Sequence, residues 1–391
     1  MKNLKVRISA VLCFLPSIVF AQLKTEKYKQ RAEAIYQLVW DRYRVNKYPG
    51  LFSENYPTGK SDSLNYFQGE AVKAKEVSFL WPFSGVFTAT NILMRCPGLK
   101  TKYKPYQDTL VIGVEQYRDP LRKPPGYQAY PVDFEKADRY YDDNGLVGID
   151  YMESYFNTRN PLYLRRAKEV FKFILSGWNS DVGGGVTWLE GHNDQKPACS
   201  NGMATLTALK IYEGCKEPCY LEQGKRFYNW MYSTLRDSTT GIIANDVKLD
   251  GKQNRTFWTY NTGSLIEAAV LIYKFTGEAK YLMQAKQLAA SSYKYFSNLP
   301  HDKNLQMHID VPWFLTVLFR GYEALYKIDK DYRYLSAIEH DLNYAWQNSR
   351  DKYGFITKNW LPEKSQLEKP KWLLDEACIA ELYARLYLIK R

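Results

Sequence analysis

A short pattern that recurs about every 60 residues sets the strongest limit on the fold of this chain. Tyr-Leu-x-x-Ala/Gly-Lys occurs at 163–168, 220–225 and 281–286, at offsets of 57 and 61 residues. In the first copy, apolar residues spaced three and four apart form a stripe on one face of a helix, and Arg and Lys occupy the other face. Each copy therefore predicts the start of an amphipathic helix.

Segments of nearly uncharged sequence lie between these amphipathic ones. Residues 265–272 read Leu-Ile-Glu-Ala-Ala-Val-Leu-Ile, a composition typical of a helix that is buried on every side. Six such segments begin 51 to 63 residues apart, at Pro82, Asp143, Asn201, Asn261, Pro312 and Asp375. Amphipathic segments fit between them at 28–43, 103–117, 162–175, 220–235, 281–296 and 332–346.

Six buried helices that alternate with six amphipathic ones predict an all-α fold, an (α/α)6 toroid of inner and outer helices. A single helix hairpin leaves an apolar face exposed, and a closed ring of hairpins covers it. A linear solenoid is the alternative, but it needs polar capping repeats, and the final segment, 374–388, is as apolar as the middle ones. No Pro- or Ser-rich linker divides residues 22–391, so we expect one domain there.

The first residues have the features of a secretory signal. Three cations precede an apolar stretch over 8–20, and Val19 and Ala21 occupy the small-residue positions before a cut at Gln22. This predicts a leader over 1–21 and an exported protein, periplasmic or extracellular. The stretch is shorter than the ~20 residues of a spanning helix, so we expect no transmembrane anchor. Cys13 keeps a lipoprotein leader open, although the bulky Leu12 precedes it.

Charge and metal-binding residue types exclude several classes of partner. The formal charge falls from +12 to +9 without the leader, but Lys and Arg form no clustered run, so we expect no nucleic-acid partner. None of the four His is spaced with Cys as in a zinc site, so we expect no metal and no cofactor. Five Cys remain after the leader, an odd number, of which Cys215 and Cys219 could pair.

The loops that lead into the buried helices should meet at one mouth, because the inner helices of such a ring are parallel. These loops, at 80–83, 141–144, 199–202, 260–263, 311–313 and 373–376, are rich in aromatic, amide and carboxyl side chains. The chain also has 61 aromatic residues, 33 of them Tyr, whose ring packs while its hydroxyl stays hydrated. This composition is typical of a cleft that binds sugars.

Asp142 and Asp143 are the candidate catalytic residues. Glycosidic cleavage needs one carboxyl group to protonate the leaving oxygen and a second to act as nucleophile or to activate water. Consecutive Cα atoms lie ~3.8 Å apart, which favours the close carboxyl spacing of roughly 5 Å that is associated with retention of configuration. The alternative is that Asp-Asp-Asn simply caps a helix. Trp81 and Trp313 are either core or sugar platforms, and Asn201 and Asn261 either caps or ligands.

Four segments, in this order along the chain, resemble glycoside hydrolase family 76. They are Tyr140-Tyr141-Asp142-Asp143-Asn144, the run 183–190 with Gly-Gly-Gly-Val-Thr-Trp-Leu-Glu, Cys199-Ser200-Asn201, and 260–263 with Tyr-Asn-Thr-Gly. The resemblance covers about 81–296. It implies an endo-acting, retaining α-1,6-mannanase with an (α/α)6 fold that binds α-mannan, and we expect a monomer. By position, Asp142 would be the nucleophile and Asp143 the acid/base.

The same resemblance implies which side chains contact the sugar, and it shows one departure. The implied substrate-binding residues are Trp81, Tyr141, Asn144, Trp188, Asn201, Tyr260 and Asn261. Many members have a bulky, often aromatic residue after Asp-Asp-Asn, whereas Gly145 and Leu146 stand here, which puts one sugar-stacking surface in doubt.

Two other functions remain open on the sequence. An acidic-polysaccharide lyase or unsaturated-uronide hydrolase would suit the positive charge, but the six loops at the predicted mouth contain no Lys, Arg or His. The second is a non-catalytic α-mannan-binding protein of the same fold. Its aromatic residues would still bind the sugar, and the two aspartates would only bind hydroxyl groups or cap the helix.

Overall fold

The structure, a computed structural model, describes residues 14–58 and 76–391, with side chains from Thr25 onward. Of the predicted leader, residues 1–13 lie outside the described residues, and the remainder belongs to the first helix. No helix of the described part is long and apolar enough to cross a membrane.

Twelve long helices alternate between an inner and an outer layer. The inner helices are α2 (Leu80–Arg95), α4 (Tyr141–Thr158), α6 (Ala198–Cys215), α8 (Thr259–Thr276), α10 (Pro312–Asp329) and α13 (Leu373–Lys390). The outer helices are α1 (Phe14–Tyr43), α3 (Lys100–Glu115), α5 (Pro161–Ser176), α7 (Pro218–Leu235), α9 (Ala279–Asn298) and α11 (Arg333–Asn348). A single turn, α12 (Lys364–Leu367), precedes the last inner helix.

The inner helices form a closed ring. Each packs on the next, and the last, α13, packs on both α2 and α1. The predicted (α/α)6 toroid is therefore confirmed, and the linear solenoid is excluded. Every inner helix begins within three residues of its predicted start, because the change from polar loop to uncharged helix is abrupt in the sequence.

Tight turns join the end of each inner helix to the start of an outer one. After four inner helices the backbone is left-handed, at Arg159, Lys216, Gly277 and Lys330, and the N–H of each donates to the carbonyl four residues earlier. Pro161 and Pro218 stand at the first position of their outer helices, where no N–H is needed. We call this end of the toroid the base and the opposite end the mouth.

Short strands lie at the mouth. Strand β1 (Asn55–Tyr56) pairs antiparallel with β7 (Lys371–Trp372), and β2 (Arg118–Asp119) with β3 (Gly126–Tyr127). A three-stranded sheet combines β4 (Gln195–Pro197), β5 (Asp246–Lys248) and β6 (Gln253–Asn254) in that order. These strands stiffen the loops that lead into the inner helices.

Buried ion pairs link the inner helices toward the base. Arg320 of α10 makes two hydrogen bonds of 2.7 Å to Glu381 of α13, and Arg385 binds the same carboxylate at 2.7 Å. Lys210 of α6 pairs with Glu153 of α4 at 2.9 Å. Burial alone would raise the pKa of Glu153, but Lys210 and Arg95 outweigh it and hold that pKa below its ordinary value. The charges in this part of the ring are thus paired, as buried ions must be.

All five cysteines of the described part are free thiols. Cys215 and Cys219, the two that the sequence allows to pair, therefore form no disulfide in this structure.

Replacing Arg320 by Met should lower the free energy of unfolding by about 3 kcal/mol or more, because the buried charge of Glu381 is then compensated by Arg385 alone. The matched change Lys280→Met removes an exposed partner of Glu278 and should leave stability almost unchanged. Urea unfolding followed by circular dichroism measures both. Equal losses in the two variants would show that the buried pair contributes no more than the exposed one.

Candidate active site

A cavity of about 260 Å³ opens at the mouth, between the first turns of the inner helices. Its wall is mostly aromatic and contains Phe79, Trp81, Tyr140, Trp188, Trp258, Tyr260, Trp313 and Phe314. The polar part of the wall comprises Asp142, Asp143, Gln195, Cys199 and Asn245. The two aspartates are therefore brought to the one place in the fold that the sequence predicts for them.

The aromatic side chains support one another as well as facing the cavity. Trp81 meets Trp313 and Trp372 edge to face, with ring centroids 5.3 and 5.2 Å apart, and Tyr260 packs on Phe314 at 4.2 Å. Such contacts fix ring orientation. Trp81 and Trp313 therefore belong both to the core and to the cavity wall, because each ring packs on other side chains on one side and lines the cavity on another.

Asp142 is surrounded by groups that favour its charged form. It lies in the first turn of α4, and the Trp188 indole Nε1 donates a hydrogen bond of 3.2 Å to its Oδ2. The pKa of Asp142 is raised on balance by burial, and the Cys199 thiol, the Trp188 indole and N–H groups of the helix start offset part of this increase. A helix N-terminus also favours a negative charge. Oδ1 is buried and accepts no hydrogen bond of ordinary geometry from the described residues.

Asp143 has the opposite environment. Its side chain is 9% exposed, and burial followed by the neighbouring charge of Asp142 raises its pKa well above the ordinary value. No described group donates a hydrogen bond to it that would offset these two effects. The pKa is thus raised at both residues but further at Asp143, so the shared proton resides on Asp143 in preference to Asp142, a division typical of an acid and a nucleophile.

The loop that carries Trp188 depends on three glycines. Gly183, Gly184 and Gly185 have φ angles of 79°, 132° and 94°, a conformation that other residues adopt only under strain. A Cβ on Gly184 would lie 2.5 Å from the Trp178 ring, and one on Gly185 2.6 Å from the Trp230 ring. The run is thus a tight turn, and Trp178 and Val186 form an antiparallel bridge across it.

A buried lysine fixes this hairpin from beneath. Lys196 Nζ donates to the Asn179 carbonyl at 3.1 Å and its amide oxygen at 2.5 Å, to the Asp181 carbonyl at 2.6 Å, and to the Gly184 carbonyl. After the hairpin, the chain contacts the start of α4 through a backbone hydrogen bond, in which the Tyr141 N–H donates to the Trp188 carbonyl at 2.9 Å. The position of the indole over Asp142 is therefore set by the loop and not by Trp188 alone.

Of the seven predicted substrate-binding residues, Trp81, Trp188 and Tyr260 line the cavity, and the others do not. Asn144 is fully buried, accepts from the Tyr127 N–H at 2.7 Å and donates to the carbonyls of Tyr127 and Tyr140. Asn201 holds Val186 in the same two-sided way, at 2.8 and 2.9 Å. The amide groups of Asn144 and Asn201 thus bind backbone of the loops and do not line the cavity.

Tyr141 and Asn261 also lie behind the wall. Tyr141 is 4% exposed and stacks on Phe173 with centroids 4.8 Å apart. Asn261 is fully buried, and neither its amide oxygen nor its amide nitrogen has a hydrogen-bond partner among the described residues. Neither side chain faces the cavity as the resemblance implied.

Several wall residues were not among the candidates. Gln195 and Asn245 are placed by the three-stranded sheet, whose strands of two or three residues leave no periodic signal in the sequence. Cys199 lies two residues before Asn201, and only Asn201 was predicted to bind the sugar. Leu146 lines the cavity too, while a Cβ on Gly145 would lie 2.5 Å from Met203, so a bulky residue at 145 would collide with α6.

No group of three or more His, Cys, Asp or Glu side chains in the described part is arranged to hold a metal ion. The chemistry that the wall offers is that of two carboxyl groups with different proton affinities in a largely apolar cavity.

Comparison with known proteins identifies the family. The model of glycosyl hydrolase family 76 matches residues 27–369, so the chain belongs to this family and is a glycoside hydrolase. A family 76 mannosidase from Bacteroides thetaiotaomicron VPI-5482 is 27% identical, with a TM-score of 0.81 over 93% of this chain and 99% of that one.

Two further relatives carry information on substrate. An α-1,6-mannanase from Salegentibacter sp. HEL1_6 has the same fold, at 21% identity and a TM-score of 0.74 over 93% of this chain and 99% of that one, and was solved as an inactive variant with two consecutive aspartates changed to asparagine, in complex with α-1,6-mannotriose. A mannan endo-1,6-alpha-mannosidase from Candida albicans is 25% identical over 174 residues. That match covers 40% of this chain and 38% of the relative.

Replacing Asp143 by Asn should stabilise the protein, and more so as the pH rises. A carboxyl group whose folded-state pKa is raised holds its proton where the unfolded chain, with a pKa near ~3.9, has lost it, so its stability contribution falls as pH rises through that window. We expect the Tm of Asp143→Asn to exceed that of the wild type by about 2 °C or more at pH 8 and by little at pH 4.

The control for this experiment is Asp133→Asn, the same change at an exposed carboxylate. A Tm difference for Asp143→Asn that stayed constant between pH 4 and pH 8, as expected for the control, would contradict a raised pKa at Asp143.

Replacing Lys196 by Met should release the hairpin and move the Trp188 indole away from Asp142. We expect kcat for glycoside hydrolysis to fall about tenfold or more, because small displacements of catalytic groups are costly. The pKa of Asp142 should rise without its indole donor, so the acid limb of the kcat/KM profile should shift to higher pH.

Lys371 supplies the matched control, since it is also buried just before an inner helix. Its Nζ donates to the carbonyls of Gln366, Leu367 and Lys369, and none of these touches the acid pair. Lys371→Met should lose Tm as Lys196→Met does but keep the acid limb in place. A shift of that limb in both variants, or in neither, would mean that Lys196 serves stability only.

Proposed function

We propose that the protein is an endo-acting, retaining α-1,6-mannanase in which Asp142 is the nucleophile and Asp143 the acid/base. The observation that carries this proposal is the contrast between two adjacent buried carboxyl groups on one wall of an aromatic cavity. One is surrounded by hydrogen-bond donors, and the other is held protonated by burial and by its neighbour's charge. Retaining glycosidases need this combination of an ionised nucleophile and a neutral acid.

In the first step, the carboxylic acid of Asp143 gives its proton to the glycosidic oxygen as the bond from that oxygen to C1 breaks. A carboxylate oxygen of Asp142 forms a bond to C1 from the opposite face, which yields a covalent mannosyl ester of inverted configuration. The Trp188 indole, which donates to Oδ2, orients the carboxylate for this attack. Loss of the negative charge on Asp142 then lowers the pKa of Asp143.

In the second step, Asp143 is a carboxylate and acts as a base. It takes a proton from water, the water oxygen bonds to C1, and the ester bond to Asp142 breaks. Two inversions give net retention, and both carboxyl groups return to their starting protonation states. The aromatic wall limits access of bulk water, which keeps the electrostatic contrast between the two groups strong.

The choice of α-1,6-mannan is supported by the relatives, whose names specify α-1,6-linked mannan or mannotriose, and by the wall of the cavity. Trp81, Trp188 and Tyr260 offer ring faces and edges to sugar C–H surfaces, and Gln195 and Asn245 offer amides for hydroxyl groups. Tyr141, Asn144, Asn201 and Asn261 would act behind this wall, as supports of the loops that form it.

The wider setting belongs to the same proposal. The leader over 1–21 would direct export to the periplasm or the extracellular space, and residues 22–391 would act there as one domain and as a monomer. An acidic-polysaccharide lyase is less well supported, because no Lys, Arg or His of the described residues lines the cavity.

Azide rescue tests both the residue roles and the stereochemistry. On an aryl glycoside of α-1,6-mannobiose with a good leaving group, Asp143→Ala should still form the covalent intermediate, because the leaving group needs no protonation. Added azide should then release the α-glycosyl azide, since it attacks from the face that water normally uses. Asp142→Asn should give no turnover on any glycoside. Product anomers are identified by NMR.

Three results would contradict this proposal. If Asp143→Ala gave the β-azide and Asp142→Ala the α-azide, the roles would be reversed. If the wild type released the β-anomer of its products first, the mechanism would be inverting. If linear α-1,6-mannan stayed intact with the wild type, the cavity would bind mannan without cleaving it or would serve another glycan. Early release of oligosaccharides of mixed length, rather than mannose alone, is expected of endo cleavage.

A further inference from the structure

The second residues of the inner helices follow one another around the cavity. In chain order they are Trp81, Asp142, Cys199, Tyr260, Trp313 and Leu374, and all except Leu374 belong to the cavity wall. Because the inner helices are parallel and begin at the same end of the toroid, residues at equal helix positions turn the same face toward its centre. The fold therefore brings Cys199 between Asp142 on one side and Tyr260 on the other.

Contacts run along this set of second residues from the aromatic wall to the acid. The rings of Trp81 and Trp313 have centroids 5.3 Å apart, and those of Trp313 and Tyr260 are 6.2 Å apart. Tyr260 and Cys199 then interact by a side-chain hydrogen bond, and so do Cys199 and Asp142. These are weak hydrogen bonds of the kind that sulfur forms. The thiol thus connects the wall that would bind the sugar to the carboxyl group that would attack it.

The direction of the two hydrogen bonds follows from the protonation of the three groups. A carboxylate at Asp142 can only accept, so the Cys199 S–H donates to it and the Tyr260 O–H donates to the sulfur. Burial and then the charge of Asp142 raise the pKa of Cys199 well above its ordinary value, and Tyr260 offsets part of this increase. Burial also raises the pKa of Tyr260. Both donors therefore keep their protons.

Few other groups can orient the Asp142 carboxylate. The titratable side chains that face it are Asp143, Tyr140, Cys199 and Tyr260. No Lys, Arg or His of the described residues lines the cavity. The side chains that donate to Asp142 in this part of the chain are Trp188, from a loop, and Cys199, from the neighbouring helix α6. Two donors on separate elements restrict rotation of the carboxylate more than either does alone.

We propose that Cys199 is a positioning residue for the nucleophile, and that Tyr260 holds its thiol in place. This inference rests on the role proposed above for Asp142. A thiol is a weaker donor than a hydroxyl group, so it orients the carboxylate and leaves more of the negative charge for attack on C1. Cys199 itself exchanges no proton in either step, because its thiol stays protonated beside the carboxylate.

The test uses three variants of the full chain and one matched control. Cys199→Ala removes the donor, Cys199→Ser replaces it by a stronger one, and Tyr260→Phe removes the hydroxyl but keeps the ring on Phe314. The control is Cys378→Ala, which removes another buried thiol of an inner helix. Cys378 donates to the Asp375 carbonyl at 3.0 Å and does not line the cavity. Each protein is assayed across pH on an aryl glycoside of α-1,6-mannobiose, and circular dichroism and Tm show that it is folded.

We expect Cys199→Ala to lower kcat/KM about tenfold, through kcat more than through KM, because a misplaced nucleophile binds substrate but reacts slowly. The acid limb of the kcat/KM profile should move to higher pH, since loss of a donor raises the pKa of Asp142. Cys199→Ser should restore both quantities. Tyr260→Phe should move the acid limb in the same direction by a smaller amount, and Cys378→Ala should leave it in place.

Two results of this assay would overturn the proposal. One is an acid limb that stays in place in Cys199→Ala, which would leave the thiol without influence on the nucleophile. The other is a Cys199→Ser variant as impaired as Cys199→Ala, which would show that the volume of the side chain matters and its donor does not.

Infrared spectroscopy gives a second readout that needs no turnover. The S–H stretch absorbs apart from other protein bands, and the band of Cys199 is the one lost in Cys199→Ala. It should shift to higher frequency in Asp142→Ala, because the acceptor is gone, and stay unchanged in Cys378→Ala. A band that does not respond to Asp142→Ala would overturn the positioning role. A shifted band in a protein that cleaves no α-1,6-mannan would instead refute the proposed function and leave the contact of Cys199 with Asp142 confirmed.

Discussion

The structure depends on one constraint: the inner helices are apolar on nearly every side, so each must be covered by other helices. A closed ring of six meets this requirement with no exposed end, which is why α13 packs on both α2 and α1. Because the ring makes the inner helices parallel, it gathers their first turns, with their unpaired N–H groups, at a single opening. The Asp142 carboxylate is stabilised by one such helix start. The site is thus a direct consequence of how the core is covered.

The difference between the two aspartates does not come from the helix that carries both. Successive residues share the same helix dipole, so the contrast comes from what approaches each side chain. Trp188 reaches Asp142 from a loop some 45 residues further along the chain, and that loop is held by Lys196 and Asn201. Among the described residues, no hydrogen-bond donor approaches Asp143 in this way. The acid and the nucleophile are therefore distinguished by tertiary structure, although their adjacency is a property of the sequence.

This explains how far the sequence could be interpreted. The order, number and starts of the helices were predictable, because uncharged segments of near-constant spacing allow few other arrangements. The acid pair was predictable as well, since its position follows from the helix starts. The parts played by Asn144 and Asn201 were not, because an amide that binds a sugar and one that binds backbone look alike in a sequence. Gln195 and Asn245 depend on strands too short to be recognised.

The two ends of the ring also differ in what their charges do for stability. At the mouth, Asp143 is buried beside a carboxylate, an arrangement that costs folding free energy and is of use only for chemistry. Toward the base, Glu381 is buried too, but the guanidinium groups of Arg320 and Arg385 compensate its charge, and its pKa stays below the ordinary value. Two carboxyl groups of the same ring thus differ, because cations compensate the charge of Glu381 and none compensates that of Asp143. Hence the missing hydrogen-bond donors around Asp143 are as informative about function as the donors present around Asp142.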